Sequence, residues 1–380
     1  MRRAALVLLA LAAVTSRAAA QASEFGTRAL GLPILPLSAR AQGMGGGIAM
    51  FDPDASLNPA AIWLTQRATA TFSVRQFWRT TENPFGTADG NDTQFPLVMV
   101  TGPIGSRWDF GLSVSAYTDR TFALALNDTI DIRGVPVGIK DTLISKGGVN
   151  DIQGALAFTV SRNFAVGLGL HVLTGTNRFE YRRSFSDSSY TPVRIKNELA
   201  FSGPAISAGF TAEPIRRVRL AGMMRWDGDL AFYKDSTKLS DIPMPLTFAA
   251  GVQIAAGDRL ILAGHGLYRN WSVADESIKA RGGLGADNAA EGTFGLEWTR
   301  SLRSPYKFPI RAGVRYAQLP YPVVEGGGKG TELQLSFGTG FRFTANRGSV
   351  DFAIERAWRS DGDAFKEKSF MFTFGVGIRP

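Results

Sequence analysis

The chain has 380 residues, with 42 lysines and arginines against 33 aspartates and glutamates, and no cysteine. The lack of cysteine excludes disulfides, thiol nucleophiles and cysteine-ligated metals. The basic excess is too dispersed for a nucleic-acid surface, its densest run being Arg216-Arg217-Val218-Arg219.

Residues 1–20 read as an export signal. Arg2 and Arg3 give a positive start, Ala4 to Val14 an apolar run, and Ala18-Ala19-Ala20-Gln21-Ala22 a small-residue region with cleavage expected after residue 20 or 22. The apolar run is too short for a membrane helix, which needs about 20 residues. Without a following cysteine, a lipid anchor is not expected. Removing Arg2, Arg3 and Arg17 takes the formal charge from +9 to +6.

Residues 23–65 are small, glycine-rich and turn-rich: Leu32-Pro33-Ile34-Leu35-Pro36, then Gly43-Met44-Gly45-Gly46-Gly47, then Asp52-Pro53-Asp54 and Asn58-Pro59-Ala60. Such a stretch has no core of its own. It suits tight packing inside a larger shell, with a turn at Asn58-Pro59.

Residues 66–380 alternate apolar with polar or small side chains. Trp108, Phe110, Leu112 and Val114 fall opposite Asp109, Gly111, Ser113 and Ser115, and Phe370, Phe372 and Phe374 recur at period two near the end. Period two is the signature of strands with one greasy face. The connections alternate in length. Short turns are predicted near 103–106, 161–163, 213–217, 256–258, 301–307 and 345–348, and long ones near 79–94, 118–149, 175–200, 228–243, 271–290, 319–330 and 359–367. A projecting hairpin is an option within 118–149. Seven long loops, each joining two strands, give fourteen strands. The fold class is therefore all-β, a transmembrane antiparallel barrel with short periplasmic turns and long outer loops. Mean hydropathy near zero excludes a bundle of membrane helices but not a barrel, whose faces average out.

The stretch Ala39-Arg40-Ala41-Gln42-Gly43-Met44-Gly45-Gly46, with the downstream Asn58-Pro59-Ala60, resembles the opening of the FadL-type outer-membrane hydrophobic-compound transport family, including its PorV/PorQ-like branch. The resemblance implies that residues 23–65 are a hatch in the lumen. Asn58, Pro59 and Ala60 would be its motif, and Gly43, Gly45 and Gly46 its packing glycines. It also implies a bacterial outer-membrane location, contact with membrane lipid and barrel-assembly machinery, and a hydrophobic small-molecule ligand. One departure is the ending Ile378-Arg379-Pro380, where such barrels usually finish on an aromatic residue.

Little in the sequence suggests enzymatic chemistry. Gly326-Gly327-Gly328-Lys329-Gly330-Thr331 fails the spacing of a phosphate loop, and Asp361-Gly362-Asp363 lacks a third calcium ligand. No metal or cofactor is expected. A hydrolase in the lumen would require a serine within hydrogen-bond reach of His171 or His265, and a lumen-lining role for both is favoured. Arg67 and Arg75 are assigned to the lumen side of the first strand as partners for Asp52, Asp54 or other inner carboxylates. Gly203-Pro204 interrupts a strand and is either an opening in the wall or a rim bulge. The leading function is passive uptake of fatty-acid-like molecules with lateral release. The alternative is a PorV-like barrel that binds exported proteins.

Overall fold

The computed structural model describes residues 23–83, 86–300, 307–325, 328–343, 346–362 and 365–380; the expected export signal lies outside them. Fourteen antiparallel strands close into one barrel. In chain order the first seven are β1 (Thr69–Asn83), β2 (Gly86–Ile104), β3 (Trp108–Asp119), β4 (Val135–Ser161), β5 (Phe164–Phe185), β6 (Val193–Ile215) and β7 (Val218–Asp227). The other seven are β8 (Leu246–Ala256), β9 (Leu260–Arg269), β10 (Ala289–Trp298), β11 (Ile310–Gln318), β12 (Thr331–Phe343), β13 (Gly348–Asp361) and β14 (Phe365–Ile378). The last strand returns to the first, from Ile378↔Ala70 to Lys366↔Glu82, so the sheet has no free lateral edge there. The strand count is the one predicted from the alternating connections.

Which face each strand shows follows from its alternation. Leu112, Leu168 and Leu170 point outward and are 59%, 61% and 69% exposed, while their neighbours Gly111 and Ser113 on β3 and Gly167, Gly169 and His171 on β5 are buried. Exposed leucines at that density would be costly in water and are at home in lipid. Aromatic residues border this apolar zone on both sides. Trp108, Trp298 and Phe343 stand near the short turns, and Trp78, Trp226, Tyr268 and Trp358 near the other rim. Paired girdles around an apolar band are the pattern of a membrane barrel.

The outer connections differ from the sequence-based expectation. Several stretches read as loops are strand: β1 and β2 run on to Asn83 and Gly86, β5 and β6 to Phe185 and Val193, and β13 and β14 to Asp361 and Phe365. Above the membrane both faces of a strand meet water, so the apolar/polar contrast fades while backbone pairing continues. Residues Phe122–Ile132 form an added strand against the outer half of β4, from Phe122↔Ser145 to Ile132↔Val135. That is the projecting hairpin. A second hairpin, Leu230–Lys234 with Thr237–Ile242, attaches to β6, and a short helix, Asp275–Lys279, lies between β9 and β10.

A cation placed at mid-belt tests the assignment. Leu168→Arg should destabilise the protein folded in vesicles by about 2–4 kcal/mol, measured by urea titration. A loss near zero would mean that this face does not meet hydrocarbon.

Candidate functional site

The inner faces of the strands receive the N-terminal segment. Ser38 caps a short helix, Ala39–Gly43, by accepting the Ala41 N–H at 3.0 Å, and donates to Asp52 at 2.5 Å. Arg40 grips Glu297 of β10 with two bonds of 3.0 and 2.7 Å, and Glu297 also takes Arg311 at 2.6 Å. Further on, Asn58 caps the 3-10 turn Pro59–Leu64, its side-chain oxygen accepting from Ala60 N at 3.0 Å. Its amide donates to Met50 O at 3.0 Å, and at 3.3 Å to both Phe210 O and Thr211 Oγ1 of β6. The Asn-Pro pair therefore ties the turn both to its own segment and to the wall.

Glycines on both surfaces allow this approach. A Cβ on Gly43 would lie 2.9 Å from Gly338 Cα, and one on Gly313 only 2.1 Å from the Met44 carbonyl carbon. Pro59 and Ala60 rest on Gly167 in the same manner. Gly45 has φ +61°, a left-handed conformation that other residues resist, and it also abuts Gly313 and Val314. Gly46 shares the left-handed backbone at φ +85°.

The expected charge partners are only partly brought together. Arg75 is on the lumen side, bonded to Thr373 at 3.3 Å and 3.5 Å from Glu355. Arg67 precedes β1 and is exposed, because the strand begins two residues later than the alternation suggested. Asp54 pairs with Arg379 at 3.4 Å and accepts from Thr71 at 3.1 Å, and Asp52 serves Ser38. Neither aspartate is bonded to Arg67 or Arg75.

The ladder is interrupted between β2 and β3. These strands pair from Ile104↔Trp108 up to Leu97↔Ser115 and then diverge, with a bulge at Phe95-Pro96 where β2 continues along β1 alone. The freed edge of β3 is taken by the N-terminal segment: Leu32↔Asp119 and Pro33↔Thr118 are paired, and Ile34 N donates to Tyr117 O at 2.9 Å. Gly31 makes the turn into this position at φ +87°, where a Cβ would lie 2.2 Å from Asp119 O. Gln94 of β2 spans the seam to Asp119 at 2.5 Å. By contrast Gly203-Pro204 lies in continuous pairing with β5, and on its other side Gly228 N donates to Pro204 O at 2.9 Å, at the outer end of β7.

Towards the outer rim, Leu30 of the segment packs in a buried apolar cluster with Tyr117, Leu173, Phe201, Trp271 and Tyr321. Trp271 Nε1 and the Tyr321 hydroxyl are buried there without a partner. Arg120 and Arg269 are near enough for their charges to act on that hydroxyl. Most lumen arginines are matched to carboxylates, as Arg315 is to Glu291 and Glu332; among the described residues Arg120 and Arg269 have no ion pair, and Arg120 lies over the Phe179 ring. Nothing in the sequence pointed to this group, because its members come from separate connections and strands.

The two histidines line the lumen. His265 Nδ1 is 2.8 Å from Thr293 Oγ1. His171 Nε2 is 2.8 Å from Ser207 Oγ and its Nδ1 is 3.0 Å from both oxygens of Asp151, the order of a Ser-His-Asp triad. Asp151 is shared with Arg225 at 2.5 Å. With Arg225 bonded to the same carboxylate, the group ties together β4, β5, β6 and β7. Among the described residues no cluster of three histidine or acidic side chains could hold a metal. Asp361 instead accepts from Val323 N at 2.7 Å; Asp363 lies outside the described residues.

Neither a protein-family model nor a curated protein matches the sequence. Solved structures do match in shape. The fold is that of a FadL homologue. The FadL homologue from Pseudomonas aeruginosa is 15% identical, covering 92% of this chain and 99% of that one at a TM-score of 0.64. The toluene transporter TbuX of Ralstonia pickettii is 13% identical, with 91% and 99% covered and a TM-score of 0.61. The toluene transporter TodX of Pseudomonas putida is 12% identical, with 91% and 98% covered and a TM-score of 0.57.

The close glycine contacts give a direct test. Gly313→Val should push Met44 off the wall, open residues 34–64 to limited proteolysis and raise ion conductance in planar bilayers. Conductance and proteolysis like those of the unmodified protein would show that the segment does not depend on this approach.

Proposed function

We propose that this protein is an outer-membrane channel for passive uptake of hydrophobic small molecules, with residues 23–65 as its hatch and lateral release through the wall. The observation that carries the reading is the β2–β3 seam. There the wall is completed by residues 32–34 instead of a neighbouring barrel strand, next to the apolar cluster to which Leu30 and Tyr117 contribute. A molecule parting the side chains of that cluster would be separated from the membrane by a few hydrogen bonds of the hatch's own leader. The shape shared with a FadL homologue and toluene transporters supports a hydrophobic cargo, and a barrel of this form points to a bacterial outer membrane.

The unpartnered groups favour a fatty-acid-like ligand over a plain hydrocarbon. Trp271 Nε1 and the two arginines can only donate, and the Tyr321 hydroxyl has its proton to offer. Together they suit a carboxylate whose chain lies among Leu173 and Phe201. Arg120→Gln with Arg269→Gln should raise the Kd for a long-chain fatty acid by about tenfold, as loss of charge-assisted bonds does. The Kd for toluene should stay as it was. Equal weakening of both ligands would count against a head-group site.

Pro33 and Thr118 are register partners across the seam, and the chain contains no other cysteine to interfere. Cross-strand partners have Cα separations of about 4.5–5.5 Å, within disulfide reach. Oxidised Pro33→Cys/Thr118→Cys protein in proteoliposomes should transfer a fluorescent fatty acid no faster than empty vesicles, with reduction restoring the rate. Full transfer through the oxidised form would remove the seam as the route. A role in binding exported proteins draws on the tall outer sheet and its exposed Leu126 and Ile195. Such binding would be indifferent to this lock.

A further inference from the structure

The charge of the barrel is distributed unevenly between its two rims. At the short-turn rim, which is the periplasmic one in a membrane barrel, every turn offers an exposed cation. Arg107 stands between β2 and β3, Arg162 between β4 and β5, Arg216 between β6 and β7, Arg259 between β8 and β9, Lys307 between β10 and β11, and Arg347 between β12 and β13. Arg67 closes the circle just before β1. Of the acids beside these turns, Glu213 and Asp258 are already held by other arginines, Arg219 at 3.1 Å and Arg217 at 2.7 Å, and Asp109 is buried. The seven cations named around the circle make no ion pair among the described residues.

The opposite rim is also rich in charge, but there the charges cancel locally. Arg183 pairs with Asp141 at 2.7 Å, Lys238 with Asp241 at 2.7 Å, Lys279 with Asp275 at 2.8 Å and Lys368 with Glu82 at 2.9 Å. The net basic charge of the chain therefore belongs mainly to the short-turn rim.

We infer that this collar is a binding surface for the anionic headgroups of phospholipids in the periplasmic leaflet, an inference that rests on the membrane-barrel reading. Two features favour lipid over an acidic protein partner. The cations go all the way round, as headgroups do, whereas a docked protein would need them on one side. They also stand level with the exposed Trp108, Phe308 and Phe343, whose rings mark the interface where headgroups begin. Each arginine or lysine near an anionic surface contributes about 1 kcal/mol, and the attraction fades over about 10 Å at 0.1 M salt. Turns at the membrane surface are within that range and the outer loops are not. The collar holds the barrel at a fixed depth and surrounds its lower rim with anionic lipid.

The test uses the full chain folded into vesicles of phosphatidylcholine alone or mixed with phosphatidylglycerol, then extracted in mild detergent, with bound lipid counted by mass spectrometry. A collar variant carries Arg107→Gln, Arg162→Gln, Arg216→Gln, Arg259→Gln and Arg347→Gln. A control carries five neutralised outer positions: Arg133→Gln, Arg178→Gln, Arg182→Gln, Arg194→Gln and Lys196→Gln. The unmodified protein and the control should retain phosphatidylglycerol over phosphatidylcholine by about tenfold at 0.1 M salt, a preference lost at 1 M salt. The collar variant should insert equally well into phosphatidylcholine but show no preference. The inference is overturned if the unmodified protein has no preference, if the collar variant keeps it, or if the control loses it equally. Failure of the unmodified protein to insert into either vesicle would remove the membrane reading itself, and the collar with it.

Discussion

In hydrocarbon every backbone N–H and C=O must find a partner within the protein, and in this chain that requirement fixes where the N-terminal segment goes. Among the described residues the other seams continue their ladder or hand it to an adjoining hairpin, whereas β2 leaves β3 above Leu97. The exposed upper edge of β3 cannot be left to lipid. Residues 32–34 pair with it, and the chain entering there passes into the lumen through the Gly31 turn. The break in the wall and the filling of the lumen are thus one feature. A β3 paired along its full length would leave residues 32–34 no edge to join.

Inside, the same demand applies to charge. A lone guanidinium taken from water costs several kcal/mol, so the inner wall meets its arginines with carboxylates across the strands. Arg311 is held between Glu297 and Asp351 at 2.6 Å each, and Arg225 between Asp151 and Asp227 at 2.5 and 2.6 Å. Arg40 of the segment enters one of these networks instead of standing apart. Where this matching stops, at Arg120 and Arg269, the surroundings become apolar and the donors are left over. The contrast between these neutralised networks and the two arginines left without a carboxylate gives the proposed ligand site its chemistry.

Much of the architecture was legible because a membrane strand must alternate: Leu112 against Ser113 and Leu168 against Gly169 identify their faces without any partner. What depends on register was not. Nothing near His171 in the sequence points to Ser207, which reaches it only because β5 and β6 align Gly169 with Ser207 and His171 with Ala205. The ion pairs are of the same kind; Asp54 meets Arg379 because the chain ends where the segment turns, 325 residues away in sequence. Arg67 was misplaced by extending the alternation two residues too far. At Gly203-Pro204 the proline drew attention to the wrong interruption. Phe95-Pro96, where the bulge occurs, carries the same residue type just past the loop expected at 79–94.

The energetics divide the N-terminal segment into a fixed part and a movable one. Residues 38–60 are held by a bidentate pair to Glu297, by Asn58 and by backbone-to-backbone contact at glycines. Breaking one buried pair alone costs about 3–5 kcal/mol, so withdrawing this part would demand most of the stability of a typical domain. Residues 31–34 are held by a short stretch of ladder, with the Gln94–Asp119 bond across the seam. At about 0.5–1.5 kcal/mol net for each hydrogen bond, freeing them costs a few kcal/mol. A shift from 1:99 to 99:1 takes about 5.5 kcal/mol of differential ligand affinity, which an amphipathic molecule burying its chain can supply. Release on the proposed route therefore needs only the leader to lift from β3, while the glycine-packed body of the segment stays in place.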